Sequence, residues 1–151
     1  TEALGVMRIE KGHAAGNELN GQTSAQMLGM GRMVSTKKDS IGAVMSRREG
    51  LAGERRRLVG LRPVKPGDRV VAGAHLFAEG APQRTETDQG WISSACHSPH
   101  LGCMIGLGFL EDGTARIGET IVAANPLEGN TVRLQVVSPH FMDPEGERLR
   151  D

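Results

Sequence analysis

Residues 90–113, GWISSACHSPHLGCMIGLGFLEDG, decide the fold class of this chain. Within this stretch, two apolar and β-prone runs flank the turn-forming segment SPHLG at residues 98–102. The second run carries glycine at every second position, Gly106 and Gly108, which leaves one strand face bare for close backbone approach or a barrel corner. The run ends on Glu-Asp-Gly at residues 111–113, a hairpin turn signal. The stretch therefore predicts antiparallel strands.

The same alternation of short apolar runs and turns continues on both sides of this stretch. Strands are predicted at residues 57–61, 70–71, 75–78, 90–94, 104–110, 115–124 and 131–137. Because short strands follow one another without long intervening helices, the pattern favours a small antiparallel barrel or sandwich.

The first third of the chain has a different character. Residues 1–22 open on an apolar run and predict a strand or a short helix that enters a glycine-marked loop. Thr-Ser before residues 25–28 resembles the N-cap of a short helix. A second helix is predicted over residues 40–48, with a cap at its first residue or the one before it, and with Gly50 as its stop. The barrel is therefore expected to begin after these helices, near residues 50–56.

Composition excludes several classes of partner. Lys+Arg and Asp+Glu both number 18, so the formal net charge is zero and offers no basic footprint for nucleic acid or an anionic membrane. No apolar run approaches the roughly 20 residues of a membrane-spanning helix. The two cysteines, Cys96 and Cys103, favour a reducing cytoplasm over a disulfide framework. Since the chain begins with Thr1 rather than Met, we expect it to be a trimmed piece.

The segment Cys96-His97-x-x-His100-x-x-Cys103 is the most chemically suggestive cluster. Two thiols and two imidazoles could supply four ligands to zinc, although structural zinc sites usually gather their ligands from separated loops. Strand alternation would also send the neighbours Cys96 and His97 to opposite faces. A nucleophilic Cys–His pair would need an orienting group and a pocket, which the sequence does not show. We therefore expect neither a metal site nor a catalytic residue here, but a small buried apolar role for a cysteine and surface histidines.

Two charged features could bind a ligand. Glu10 follows an apolar run and precedes Gly12, and a carboxylate in this position can accept two N–H donors from a heterocycle. Lys37 and Lys38 could neutralise an anionic ligand. From spacing alone, a solvated carboxylate and a solvated basic face are the simpler explanations.

Several ordered motifs resemble the glycine-cleavage T-protein family of aminomethyltransferases. RIEKGH at residues 8–13 and GNELN at residues 16–20 resemble the family element R-x-E-x-G…G-x-E/D-L. KKDSIG at residues 37–42 resembles K-x-D-F-I-G. RLVGL at residues 57–61 and SPHLG at residues 98–102 resemble a family strand and the family turn S-P-t-L. Because the motifs cover nearly the whole chain in the family's order, the resemblance is more specific than any single motif.

Within this family the chain is similar to the α subunits of heterotetrameric sarcosine oxidases. The resemblance lies in GHAAGNEL at residues 12–19, GRMVSTKK at residues 31–38 and the ending DPEGER at residues 143–148. It implies a parent complex with β, γ and δ subunits that oxidatively demethylates sarcosine to glycine using FAD, FMN and NAD. Tetrahydrofolate would receive the one-carbon unit and leave as 5,10-methylenetetrahydrofolate.

The resemblance implies an α+β, mainly β fold. We expect residues 1–52 to be the incomplete and less ordered end of a folate-binding domain, forming a small α/β segment. Residues 53–142 would form a six-stranded antiparallel Greek-key β-barrel, and residues 143–151 a polar tail.

Two residues carry the implied folate site. By position, Glu10 matches the pterin-binding glutamate of the family, and Lys38 lies near a basic position that meets the folate tail. The catalytic aspartate and the flavin and NAD sites would precede this chain, so we expect the piece alone to be inactive. Two alternatives stay open: the folate domain of an aminomethyltransferase or dimethylglycine-oxidising enzyme, and an interaction barrel without a ligand.

Overall fold

The computed structural model describes residues 2–35 and 37–150, in which a closed β-barrel follows a helical N-terminal segment. The α-helices are Glu2–Lys11 (α1), Ile41–Ser46 (α2) and Glu49–Ala52 (α3). The strands are Arg56–Pro63 (β1), His75–Ala78 (β2), Gly90–Ser98 (β3), Cys103–Glu111 (β4), Thr120–Asn125 (β5) and Asn130–Val137 (β6). Short 3-10 helices span Gly31–Met33, Thr85–Thr87, Gly113–Arg116 and Glu147–Leu149.

The barrel has the strand order β1-β4-β3-β2-β5-β6, and β6 closes it by pairing with β1. Every strand pair is antiparallel. Strands β2, β3 and β4 are consecutive neighbours and β1 lies beside β4, which is a Greek key. The predicted mainly β fold with a six-stranded antiparallel Greek-key barrel is confirmed.

Strand β4 shows why the alternate glycines matter. A Cβ atom on Gly108 would lie 2.7 Å from the Trp91 carbonyl oxygen and 2.9 Å from Leu61 Cδ1. A Cβ atom on Gly106 would lie 3.2 Å from the carbonyl oxygen of Ser94. The β3 backbone and the side chains of the barrel interior therefore approach β4 closely at its glycines, as the glycine spacing predicted.

Apolar side chains form two separate clusters. The first fills the barrel and contains Val59, Leu61, Val70, Ala74, Leu76, Ile92, Leu110, Ile121, Ala123, Val132, Leu134 and Val136. The second, which we call the outer cluster, lies between the outside of β1 and β4 and the N-terminal segment; it contains Ile9, Met27, Leu58, Cys103, Ile105, Leu107 and Phe109. Because β4 contributes to both clusters, it is buried on both faces, and the N-terminal segment is packed on the barrel through it.

The helical prediction for the start of the chain is confirmed, and the two that follow it need correction. The prediction for residues 1–22 allowed a strand or a short helix, and the structure has helix α1 there. Residues 25–28 form turns rather than a helix, because Gly29 follows in the left-handed region at φ 74° and stops the first turn. The helix predicted over residues 40–48 ends at Ser46, and Gly50 lies inside α3 instead of stopping α2. Among the described residues, no helix has the length and apolar composition that crossing a bilayer requires.

Three strand predictions also differ from the structure. Residues 70–71 form a loop, since this pair is too short to form a ladder, and Val70 turns into the barrel core. The strand predicted over residues 115–124 begins only at Thr120. A 3-10 helix precedes it, opened by Asp112 at φ 51°, a left-handed conformation that breaks an extended run. Strand β3 continues to Ser98, the first residue of the predicted turn.

Candidate functional site

Glu10 lies in the last turn of α1, and only 7% of its surface is exposed. The helix ends in a Schellman motif, with Gly12 at φ 74°. The His13 N–H donates to the Arg8 carbonyl at 2.8 Å, and the Gly12 N–H donates to the Ile9 carbonyl at 3.0 Å. The glycine after the apolar run therefore ends the helix just beyond the carboxylate and fixes the position of Glu10.

The C-terminal tail crosses this helix end, and we call residues 138–143 the strap. The Met142 N–H donates to the Glu10 carbonyl at 3.0 Å, and His140 Nδ1 lies 2.9 Å from the Lys11 carbonyl. Lys11 Nζ donates to the backbone carbonyl of Asp143 and lies 3.3 Å from its carboxylate. These contacts satisfy carbonyls that a helix end otherwise leaves without partners.

The Glu10 carboxylate is held on one side only. Oε1 accepts a hydrogen bond of 2.5 Å from Ser98 Oγ, at the end of β3. The two neighbouring cations are engaged elsewhere, Arg8 with Glu18 and Lys11 with Asp143. Within the described residues, every buried polar side-chain atom has a hydrogen-bond partner, and Oε2 has no protein partner among them. It follows that Oε2 is not fully buried.

Glu10 lines a groove of about 410 Å³ between α1 and the strap. Its apolar wall comes from Leu4, Met7 and Met142, and cationic groups of Lys11 and Arg148 lie on its border. An apolar groove with one oriented carboxylate and adjacent cations suits a flat heterocycle that carries N–H donors and an anionic substituent.

The structure does not bring Lys38 into this groove. Lys38 is exposed in the loop before α2, and it is not among the groove-lining residues of the described part of the chain. The two residues predicted to bind one ligand therefore lie in different surroundings, Glu10 buried at a helix end and Lys38 on an exposed loop.

A second carboxylate, Glu18, is fully buried and accepts four hydrogen bonds. Its Oε1 accepts bonds of 2.6 Å from both Ser93 Oγ and Ser94 Oγ. Its Oε2 accepts bonds from Arg8 Nη1 at 2.8 Å and from the Ala15 N–H at 2.9 Å. All four acceptor positions of the carboxylate are thus used inside the protein.

These contacts set the pKa of Glu18. Burial alone raises the pKa, but the two serine hydroxyls, the Ala15 N–H and the Arg8 guanidinium together hold it below its usual value of 4.5. The group is therefore a buried, ionised and fully partnered carboxylate.

A β-bulge makes the double serine contact possible. Successive side chains of a strand normally point to opposite faces, so Ser93 and Ser94 should not share one acceptor. The register of β3 against β4 shifts between Ile92 and Ser94, which turns both hydroxyls toward Glu18. Our sequence reasoning gave Glu18 no role, although a carboxylate within the motif GNEL and a Ser-Ser pair on a predicted strand were the available signals.

The Cys/His cluster does not converge in the structure. Cys96 packs against the outer cluster, whereas its neighbour His97 is exposed. Burial raises the pKa of the Cys96 thiol, and the negative charge of Glu10 raises it further. In residues 2–35 and 37–150 no group of three or more His, Cys, Asp or Glu side chains is arranged to hold a metal ion.

Comparison with known proteins identifies a matching family and relatives of this chain. The model of the glycine cleavage T-protein C-terminal barrel domain matches residues 56–143. Sarcosine oxidase subunit alpha of Rhizobium meliloti (strain 1021) is 41% identical over 150 residues, which cover 98% of this chain and 15% of that protein. The subunit of the same name from Corynebacterium sp. (strain P-1) is 37% identical over 155 residues, covering 98% and 16%.

More distant relatives share the same fold. An aminomethyltransferase of Desulfitobacterium hafniense (strain DSM 10664 / DCB-2) is 30% identical over 132 residues, covering 87% of this chain and 34% of that protein. The crystal structure of glycine cleavage system aminomethyltransferase T from Bartonella henselae matches with a TM-score of 0.72 at 23% identity, over 94% of this chain and 38% of that one. The chain thus spans a minor part of each relative's length.

Proposed function

The chain belongs to the family of the glycine cleavage T-protein C-terminal barrel domain, and from this membership we propose that it is the C-terminal part of a sarcosine oxidase α subunit in which Glu10 binds tetrahydrofolate. The carrying observation is the carboxylate itself: Oε1 is held by Ser98, Oε2 has no protein partner among the described residues, and Glu10 lines an apolar groove. A pterin ring carries adjacent N–H groups that match a carboxylate acceptor. The similarity to two sarcosine oxidase α subunits over 98% of this chain supports the choice of parent protein.

The second part of the proposal concerns the folate tail. Its glutamyl carboxylates are anionic, and we propose that Lys38 meets them from the loop before α2. Since Lys38 is exposed, its contribution would be a screened charge contact that weakens as salt increases.

The wider setting is proposed on the same basis. The parent complex would contain β, γ and δ subunits, act in the cytoplasm, and oxidatively demethylate sarcosine with FAD, FMN and NAD. The flavins and NAD would bind outside this chain. The folate site would receive the one-carbon unit, forming 5,10-methylenetetrahydrofolate, and the barrel would contribute to subunit assembly. On its own, this piece would be inactive.

The test is tetrahydrofolate binding by the full subunit that carries this chain. Glu10→Gln exchanges the charged acceptor for an amide and should weaken binding about tenfold or more, because hydrogen bonds to charged groups are the stronger kind. Glu86→Gln, at an exposed position in the Thr85–Thr87 turn, is the matched control and should bind as the unchanged protein does. Lys38→Ala should reduce affinity more at low salt than at high salt, with Lys37→Ala as its neighbour control. Unchanged affinity in Glu10→Gln would remove Glu10 from the site, whereas absence of tetrahydrofolate binding by the unchanged full subunit would favour the interaction barrel without a ligand.

A second candidate is the folate domain of an aminomethyltransferase or dimethylglycine-oxidising enzyme. The 30% identity to an aminomethyltransferase favours its consideration. The gene upstream of this chain separates the two: a distant dinucleotide-binding fingerprint supports the oxidase subunit, and a short T-protein start supports the transferase.

A further inference from the structure

Ser98 is the one protein group that holds the Glu10 side chain within the described residues. It is the last residue of β3 and is fully buried. Its hydroxyl donates to Glu10 Oε1 at 2.5 Å across 88 positions of sequence. The contact joins the barrel to the end of α1 and fixes the position of one oxygen of the Glu10 carboxylate.

The direction of this hydrogen bond is determined by the turn that follows. The Leu101 N–H donates to Ser98 Oγ at 3.0 Å, and the Gly102 N–H donates to the Ser98 carbonyl at 2.9 Å. A hydroxyl has one proton to give, so with a lone pair of Oγ occupied by the Leu101 N–H, the proton is directed at the carboxylate. The turn therefore orients the hydroxyl before any ligand arrives.

Among the residues that the structure describes, no other side chain donates a hydrogen bond to that carboxylate. Arg8 is committed to Glu18 and Ser94, and Lys11 is committed to Asp143. If the Ser98 hydroxyl is removed, the Glu10 side chain loses its fixed partner and gains rotational freedom. Freedom in a binding group lowers affinity, because binding must then order the group again.

We infer that Ser98 is a positioning residue, which holds Glu10 so that Oε2 faces the groove and can accept an N–H donor of the ligand. The inference rests on the proposed role of Glu10 in tetrahydrofolate binding. It adds a residue that does not touch the ligand but fixes the geometry of one that does.

The experiment is a double-mutant cycle on the full subunit, with the tetrahydrofolate Kd as the readout. Ser98→Ala should raise the Kd about three- to tenfold, and it should have no further effect in the Glu10→Ala background, where no carboxylate remains to be positioned. Ser93→Ala is the matched control: it removes a buried serine hydroxyl of the same strand that serves Glu18 instead. This control should lower thermal stability and leave the Kd unchanged.

A second pair keeps the test valid if Ser98→Ala fails to fold. Ser98→Thr and Ser98→Val have the same shape, but only threonine retains a hydroxyl, so threonine should bind more tightly than valine. Equal Kd values for this pair, or an equal loss from Ser98→Ala with and without Glu10, would overturn the inference while the proposed function stands. If Glu10→Ala itself binds normally, the proposed function fails first, and the inference fails with it.

Discussion

Two buried carboxylates dock the N-terminal segment on the same strand, and they differ in how completely the protein satisfies them. Glu18 receives four hydrogen bonds, from two serine hydroxyls, a backbone N–H and the Arg8 guanidinium. Glu10 receives one within the described residues, from Ser98, and the residue lines a groove. A carboxylate whose acceptor positions are all filled has no capacity left for a ligand. The contrast assigns a structural role to Glu18 and is consistent with the proposal that Glu10 binds the ligand.

The two regions are also built differently. The Glu18 region depends on side chains that a β-bulge brings together. The Glu10 region depends on backbone groups, since a Schellman motif ends α1 and the strap covers its carbonyls. Side-chain substitutions should therefore damage the first region more, and backbone substitutions the second.

The largest expected effect is the loss of stability in Glu18→Ala. Removing one partner of a buried ion pair leaves the other groups without acceptors and typically costs about 3–5 kcal/mol. Glu10→Ala removes one hydrogen bond and should cost about 1–2 kcal/mol. Denaturant unfolding of the purified protein gives both values.

An exposed ion pair supplies the control for this comparison. Glu128 pairs with Arg69 at 3.4 Å, and both side chains are largely exposed. Glu128→Ala should change the free energy of unfolding by less than about 1 kcal/mol. If Glu10→Ala proves as destabilising as Glu18→Ala, the division into a structural and a ligand-binding carboxylate is wrong.

The second-largest expected effect concerns Gly12, whose left-handed backbone ends α1 beside Glu10. Gly12 has φ 74°, and a Cβ atom there would collide with the Pro139 carbonyl and lie 2.8 Å from His140 Nδ1. Gly12→Ala should therefore cost about 2–3 kcal/mol, from backbone strain and from displacement of the strap. Thermal unfolding with Gly5→Ala as control measures it.

Gly5 is a matched control because it lies in the same helix with nothing within 4 Å of its Cβ position. Gly5→Ala should stabilise the helix by about 1 kcal/mol, since alanine is the better helix former. Equal changes in the two alanine variants would mean that the strap does not depend on Gly12.

The barrel could be predicted because its signals are local. Alternating apolar residues, the turn at residues 98–102 and the glycines at 106 and 108 each specify a strand or a turn within a few residues. Two strand predictions were wrong where a contact between residues far apart in sequence determines the backbone conformation. Val70 leaves the expected strand to fill the barrel core, and Gly113 approaches Val59 so closely that a Cβ atom would lie 2.6 Å from Val59 Cγ1.

The site was less predictable than the fold. Glu10 was identified through a family motif, and its role in binding stays a prediction. The Glu18 network joins residues 8, 15, 18, 93 and 94, and its geometry depends on a bulge that no local pattern announces. Ser98 was read as part of a turn, and the turn does form, but its hydrogen bond to Glu10 spans most of the chain. Partners so far apart in sequence are visible only in the folded chain.

The smallest expected effect is the acid sensitivity that the Glu18 carboxylate gives to the fold. The folded-state pKa of Glu18 lies below its usual value of 4.5. The stabilisation by its charge is therefore fully present above that value and is lost as pH falls through the folded-state pKa. Each unit by which the pKa is lowered contributes about 1.4 kcal/mol. The free energy of unfolding should fall as the pH drops below about 4.5, and less steeply in Glu18→Gln, which cannot titrate.

Asp112→Asn is the control for acid titration in general. The Arg55 side chain holds the pKa of Asp112 below its usual value too, but both side chains are largely exposed, so solvent screens the pair. Asp112→Asn should leave the fall of the unfolding free energy at acid pH nearly unchanged. An equally steep fall of the unfolding free energy at acid pH in Glu18→Gln and in the unchanged protein would show that the charge of Glu18 does not stabilise the fold.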